Sequence, residues 1–168
     1  MRGRIGLAIF VLSCGFNPSR TAAGQGAVVD SLLQELVALE RAALDRWITL
    51  DPAGYLDLYA PEVTYFDPAT EKRVDGREAM KERLAPLKNV KLPFVEPRYE
   101  MIGPRVQRHG DVALLTFNLV NYGTPPGQTE ITLARWNATE VYSRIDGRWR
   151  IVHSHWSYVK PDLKQPGP

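Results

Sequence analysis

Asp67 lies in the run Tyr65-Phe66-Asp67-Pro68. A carboxylate walled off by Trp47, Tyr65 and Phe66 would be poorly solvated and therefore a stronger base, able to take a proton from carbon. The same residue suits a turn, its side chain capping Ala69 or Thr70 ahead of Pro68. Tyr59 and Tyr65 could orient a ligand, or be core aromatics with bonded hydroxyls. His153 and His155 are alternate residues of a β pattern and share a face. With Glu140 they would form a two-histidine, one-carboxylate metal set, and a metal-dependent hydrolase is the reading that set would support. No serine stands in a nucleophile-elbow motif, so Ser/His/Asp chemistry is not indicated. Arg135 could pair a ligand carboxylate or close a salt bridge at a sheet end. Glu40 sits beside an apolar helical stripe, where it could enter a pocket mouth or only edge the helix.

The elements that must position these residues follow from periodicity. Between Val28 and Leu50, the residues Leu33, Leu36, Val37, Leu44, Trp47 and Ile48 recur at three- and four-residue steps, a helix, with Ser31 and Gln34 as a capping box. Asp51-Pro52 opens a short second helix running to Tyr59, stopped by Ala60-Pro61. Val63 to Phe66 is a strand, Pro68 to Thr70 a turn, and Asp75 with Glu78 opens a third helix from Gly76 to Leu87. Strands then follow at Arg98–Gln107, Val112–Tyr122, Ile131–Ile145 and Arg148–Val159, with Pro93 and Pro97 confining the entry to a sheet edge. Helices first and a meander after predict an α+β fold, with helices on one face of a curved antiparallel sheet.

Asp146-Gly147 is the strongest hairpin signal in the chain. A two-residue turn there pairs Ile145 with Arg148 and continues outward in step. That register places Asn137, Thr139, Val141, Val152, Ser154 and Trp156 on one face. Trp136, Tyr142, Trp149, Ile151, His153 and His155 fall on the other, with Glu140 opposite His153. Polar residues facing a helix layer suggest a cavity, so the first face, with Arg135 at its end, is expected to line a pocket. The aromatic second face is expected to meet a partner subunit.

The chain has 168 residues, 44% hydrophobic and 24% charged, with a formal charge of +2. That composition describes one globular domain and excludes disorder and a nucleic-acid footprint. Arg2 and Arg4 precede the apolar run Ile5 to Leu12, with small residues up to Gly24, the pattern of a secretory signal over residues 1–24. The run is too short to span a bilayer. Cleavage near Ala23 or Gly24 would remove three arginines and no acid; alternatively, Val11-Leu12-Ser13-Cys14 resembles a lipoprotein box, with Cys14 as the lipid anchor. Either route predicts a secreted or periplasmic domain over residues 25–160, followed by a disordered tail over 161–168. The single Cys14 allows no internal disulfide and no cysteine zinc site.

These residues resemble the nuclear transport factor 2-like superfamily, which includes ketosteroid isomerases and SnoaL-like polyketide cyclases. The likeness lies in Tyr59-Ala60-Pro61-Glu62-Val63-Thr64-Tyr65-Phe66-Asp67-Pro68, in Asp75-Gly76-Arg77-Glu78, and in Arg144-Ile145-Asp146-Gly147-Arg148-Trp149. The association domain of calcium/calmodulin-dependent protein kinase II is similar through Phe66-x-Pro68, Thr139-x-Val141 and Asp146-Gly147-x-Trp149-x-Ile151-Val152-His153-x-His155-x-Ser157. The resemblance implies a cone of three helices cupping a bent sheet, with a pocket between. It puts the isomerase base on Asp67, eight residues after Tyr59. The isomerase oxyanion tyrosine and its acid partner fall on Ala43 and Val141, which cannot donate hydrogen bonds from their side chains, so steroid isomerisation is not expected. The hub's pocket arginines fall on Asn118, Glu140 and Trp156.

The resulting expectation is an exported domain holding a small apolar molecule with a few polar groups. Trp47, Tyr59, Tyr65, Asn118, Arg135, Asn137, Thr139 and Trp156 would contact the ligand, and Asp67 would act as base if the domain is a cofactor-free isomerase, dehydratase or cyclase. The alternative is a non-catalytic oligomerisation or interaction domain. Either would form a homodimer or higher homo-oligomer, without nucleic acid, cofactor or membrane span.

Overall fold

The computed structural model describes residues 19–159, with side chains described from residue 29 onward. The signal pattern, Cys14 and the tail over 161–168 lie outside the described residues or side chains. Helix α1 (Ser19–Trp47) is followed by α2 (Ala53–Leu58), strand β1 (Tyr59–Phe66), the two-residue β2 (Val74–Asp75) and α3 (Arg77–Leu84). A 3-10 turn (Ala85–Asn89) then leads to four long strands, β3 (Val95–His109), β4 (Val112–Thr124), β5 (Ile131–Ile145) and β6 (Arg148–Tyr158). The sheet order is β2-β1-β6-β5-β4-β3, antiparallel except where β1 lies parallel to β6. The helices pack on one face of this curved sheet, so the α+β architecture and its cone of three helices are as expected.

Several local expectations change. Ser31 lies inside α1 and not at its start. The buried stripe of α1 is Leu32, Leu36, Glu40, Ala43 and Leu44, rotated from the anticipated one, and it carries Glu40 at its centre with no exposure. Asp51 does cap α2, its Oδ1 accepting the Ala53 N–H at 3.0 Å, while α3 starts behind Gly76 at φ 89° without a side-chain cap. Helices α1 and α2 cross at small residues: a Cβ on Gly54 would stand 2.9 Å from the Ala43 Cα. This close approach sets Tyr55 against Trp47, ring centroids 5.8 Å apart and edge to face.

The Asp146-Gly147 turn has φ of 50° and 75°, the left-handed values a two-residue hairpin needs. Pairing follows the expected register from Ile145↔Arg148 to Tyr142↔Ile151. A bulge then inserts one extra residue in β6, and from Val141↔His153 and Glu140↔Ser154 onward every partner moves by one. One inserted residue exchanges the two faces beyond it. Ser154 and Trp156 therefore turn inward with Trp136, Ala138, Glu140 and Tyr142. Asn137, Thr139, Val141, His153 and His155 turn away from the helices. The expected pocket face and partner face are thus partly exchanged.

Candidate ligand pocket

A cavity of about 120 Å³ opens between the helices and the inner face of the sheet. Leu44, Trp47 and Tyr55 line it from the first two helices, and Met80 and Leu84 from α3. Strand β1 contributes Tyr59 and Tyr65 and the residue after it Asp67, while Leu119, Asn121, Trp136 and Trp156 come from the long strands. Alternation makes this possible in the second half of β1, where Val63 and Tyr65 are buried; Tyr59 and Ala60 are both buried at its start.

Asp67 lines the cavity with every acceptor direction in use. Its Oδ1 accepts the Ala69 N–H at 2.9 Å. Arg83 Nη2 donates to Oδ1 and Oδ2 at 3.1 and 3.0 Å, and the Tyr65 hydroxyl donates to Oδ2 at 3.0 Å. A carboxylate has about four lone-pair sites, so none is left over. The turn role considered from the sequence is visible as well: the Asp67 N–H donates to Thr70 Oγ1 at 3.0 Å, and Thr70 N–H returns to the Asp67 carbonyl at 3.0 Å. Phe66 points to the opposite face, exposed beside His155, and does not wall Asp67.

Behind the lining rings lie two acids with no exposure, Glu40 and Glu140. Glu40 accepts the hydroxyls of Tyr55 at 2.6 Å and Tyr142 at 2.5 Å. Glu140 Oε1 accepts Ser154 Oγ–H at 2.8 Å, and Trp156 Nε1–H donates to the same Ser154 oxygen at 3.1 Å. Glu140 Oε2 is buried without a hydrogen-bond partner. Neither acid has an ion-pair partner among the described residues. Burial pushes the Glu40 carboxyl up to about 6, with the bonds from Tyr142 and Tyr55 opposing. Burial first and the Glu40 charge second push the Glu140 carboxyl well above its ordinary value. Burial likewise raises the hydroxyls of Tyr55, Tyr59 and Tyr142, which stay protonated as donors.

Of the residues expected at a site, Trp47, Tyr59, Tyr65, Asp67 and Trp156 come together around the cavity. Asn118, Arg135, Asn137 and Thr139 do not. They lie on the outer face, where Asn118 Nδ2 donates to Asn137 Oδ1 at 2.8 Å and Asn137 reaches Ser157 Oγ at 3.5 Å. The bulge at Val152 is the reason for Asn137 and Thr139, and their β4 neighbour Asn118 follows by pairing. The metal set is also separated: Glu140 is inside, whereas His153 and His155 are outside, with His153 Nδ1 on Thr64 Oγ1 at 2.7 Å. No group of three metal-ligating side chains occurs among the described residues. Burial, then His155, lowers the His153 imidazole.

Sequence reasoning missed the inward acid at Glu140 because it set Glu140 opposite His153 on the aromatic face. β5 alternates without a break through Ala138, Glu140 and Tyr142, which puts the carboxyl into the core, while the bulge in β6 sends His153 to the other face. Tyr55, Trp136 and Asn121 were also missed as lining residues; the first could have been found from its four-residue spacing to Tyr59. No helix among the described residues is long and apolar enough to cross a membrane.

Comparisons with known proteins agree with this architecture. A ketosteroid isomerase-like protein of Parabacteroides distasonis is 36% identical, with the match covering 75% of this chain and 86% of that one at a TM-score of 0.58. The CaMKII association domain of C. elegans is 22% identical, covering 77% and 98%, at a TM-score of 0.64. A cystatin-like protein of Caulobacter vibrioides is 21% identical, covering 76% and 89%, at a TM-score of 0.58. No curated protein matches. The SnoaL-like domain family matches over residues 38–161, most of the chain and all of the sheet. With that match and the shared cone of helices on a curved sheet, the chain belongs to the SnoaL-like domain family.

Proposed function

We propose that this chain is a small-molecule-binding domain whose ligand inserts a compact apolar group between α1 and the inner face of the sheet. The observation that carries this reading is the cavity of about 120 Å³ with aromatic rings on several sides and Asp67 in its wall. An engineered apolar cavity of about 150 Å³ accepts benzene, so a group of about that size is what can be enclosed. A tetracyclic steroid cannot be enclosed here. The ligand's polar part would lie toward Asp67 and Asn121.

The catalytic form of the same reading makes Asp67 the base of a cofactor-free isomerase, dehydratase or cyclase. A base needs a free lone pair, so proton abstraction requires Tyr65 or Arg83 to give up its bond first. The kinship with the isomerase-like protein supports this form, and the saturated carboxylate weighs toward binding. Titration with phenol and cyclohexanone, followed by tryptophan fluorescence, tests binding. Exchange of the α-hydrogens of cyclohexanone in D₂O, followed by NMR, tests the base. Catalysed exchange that disappears in Asp67→Asn would establish it; the absence of catalysed exchange leaves binding alone, and the absence of binding by these probes and by the organic cation tested below rejects the reading.

A second reading, self-association, has its own observation. Across β4, β5, β6 and β1 the outer rows Leu114–Val141–His153–Thr64 and Thr116–Thr139–His155–Phe66 contain no Asp, Glu, Lys or Arg, charges entering only at the edge strands with Asp75 beside Thr64 and Arg105 beside Thr116, and the neighbouring row Ile102–Asn118–Asn137–Ser157 contains none. Interface cores are depleted in charge. The structurally similar CaMKII association and hub domains add support for a homo-oligomer through this face. Light scattering of Thr139→Glu against the parent chain tests it: the variant should fall to monomer, and a parent that is already monomeric rejects it. The signal pattern over residues 1–24 supports export, and the intact mass of the protein from its host would reveal a start near Gly24 or a lipidated Cys14.

A further inference from the structure

Five of the six aromatic rings that line the cavity have their polar heads engaged. Tyr55 donates to Glu40 and Tyr65 to Asp67. Trp136 Nε1 donates to Asn121 Oδ1 at 2.8 Å, and Trp156 Nε1 to Ser154. The Tyr59 hydroxyl lies against Ser154. What these five rings have left for a ligand is their carbon surface. An enolate, carboxylate or phosphate needs several N–H and O–H donors aimed at it, and the lining's donors other than Trp47 Nε1 and Asn121 Nδ2 are turned to protein groups.

Ring geometry narrows the shape. Trp47 and Tyr55 stand at 84°, Tyr59 and Tyr65 at 66°, and Trp136 and Trp156 at 86°, while Tyr55 and Tyr59 stack at 29° on one wall. Parallel rings make a slot for a flat group; rings near right angles make a box for a rounded one. The charge is of one sign: no lysine or arginine lines the cavity among the described residues, Asp67 does, and Glu40 and Glu140 lie just behind. Arg83 meets Asp67 without itself lining the hollow. Tyr55 and Tyr65 each donate to a carboxyl group, which draws electron density into their rings and strengthens the hold of those rings on a cation.

We propose that the group this cavity encloses is an alkylated ammonium, carried by a small organic cation. The proposal rests on the pocket-binding reading above and names its ligand class. A trimethylammonium head has four heavy atoms against benzene's six, so it fits the space. It has no N–H to satisfy, so a wall of ring surface suffices, and its positive charge is spread over methyl groups that contact ring faces. A primary ammonium would lose its water without gaining the acceptors it needs, since Asp67, the carboxylate in the lining, is already fully bonded and the open Glu140 Oε2 lies behind the rings, outside the lining.

The test is calorimetric titration at neutral pH with choline, with its uncharged carbon isostere 3,3-dimethylbutan-1-ol, and with ethanolamine. Choline is expected to bind at least ten-fold more tightly than either. Trp156→Phe should keep most of that preference and Trp156→Leu should remove most of it, with circular dichroism confirming that both variants fold. The outer-face variant His155→Ala should leave it unchanged. Equal or tighter binding of the uncharged isostere overturns the cation assignment while leaving the pocket-binding reading standing. A preference for choline that survives Trp156→Leu in full also overturns it. Failure of choline, the isostere, phenol and cyclohexanone alike overturns both readings.

Discussion

On the inner face of β5 and β6, Glu140, Tyr142 and Ser154 are closed off from water. One residue along the same strands, Asn137 and His155 are exposed and bond only to neighbouring side chains or to nothing that buries them. At the inner face two acids lie without a cation partner among the described residues, Glu140 from β5 and Glu40 from α1, held by serine and tyrosine donors. The outer face holds no charge across its central rows. The same pair of strands therefore carries a tightly coupled, cavity-facing surface and a bland one. The difference is that inner residues must satisfy each other, whereas outer residues can be satisfied by water or by another subunit.

That contrast can be broken by substitution, the largest effects coming first. Leu36→Ala removes a side chain with no exposure from the inner core and should lose about 2–5 kcal/mol in chemical denaturation. Thr139→Ala on the outer face should stay within about 0.5 kcal/mol. Equal losses from the two would dissolve the distinction. Tyr142→Phe takes one of two donors from Glu40, leaving a buried carboxyl oxygen unsatisfied, and should lose about 1–3 kcal/mol by the same measurement.

The acid pair also gives a pH dependence with a definite sign. Burial raises the folded-state value for Glu40 above its ordinary 4.5, to about 6. A group raised in the folded state contributes stability that is fully present below the unfolded value and is lost as pH rises through the folded one. Stability should therefore fall between about pH 4.5 and somewhat above 6, by about 2 kcal/mol from Glu40. Glu140, raised further, extends the loss to higher pH. Glu140→Gln should flatten the alkaline part of a melting-temperature profile, and profiles that run parallel would show that the pair is not coupled. Smallest is Asp67→Asn, which weakens the bond from Arg83. Both side chains keep some exposure, 31% and 18%, so a loss of only about 1 kcal/mol is expected in thermal melts.

Much of this fold was legible because its signals are local. Asp146-Gly147 demands left-handed backbone values and fixes a turn wherever the chain goes next. The three-helix start and strand-rich remainder could be read from apolar periods and from Pro52, Pro61 and Pro97. What could not be read is the bulge at Val152, because an extra residue leaves no mark of its own in the sequence, and it decides whether Ser154 and Trp156 share a face with Glu140 or with Thr139. The half of the pocket built from α1 and β1 (Trp47, Tyr59, Tyr65 and Asp67) was visible for that reason. The half built from the last hairpin was displaced by one position, with Trp156 kept and Asn137 and Thr139 lost. Glu40 was misjudged differently: a charged residue at an apolar stripe reads as an edge, and only the distant Tyr142 hydroxyl makes full burial tolerable.

The central claim is that ligands enter the hollow between helices and sheet. Calorimetric titration of phenol and choline into the parent chain, into Leu84→Trp, which fills the hollow from α3, and into Thr139→Trp, which adds the same ring outside, tests it most directly. At least one of the two probes should bind the parent and the outer variant alike and fail to bind the filled one. Binding that survives Leu84→Trp, or is lost in Thr139→Trp, would contradict the account.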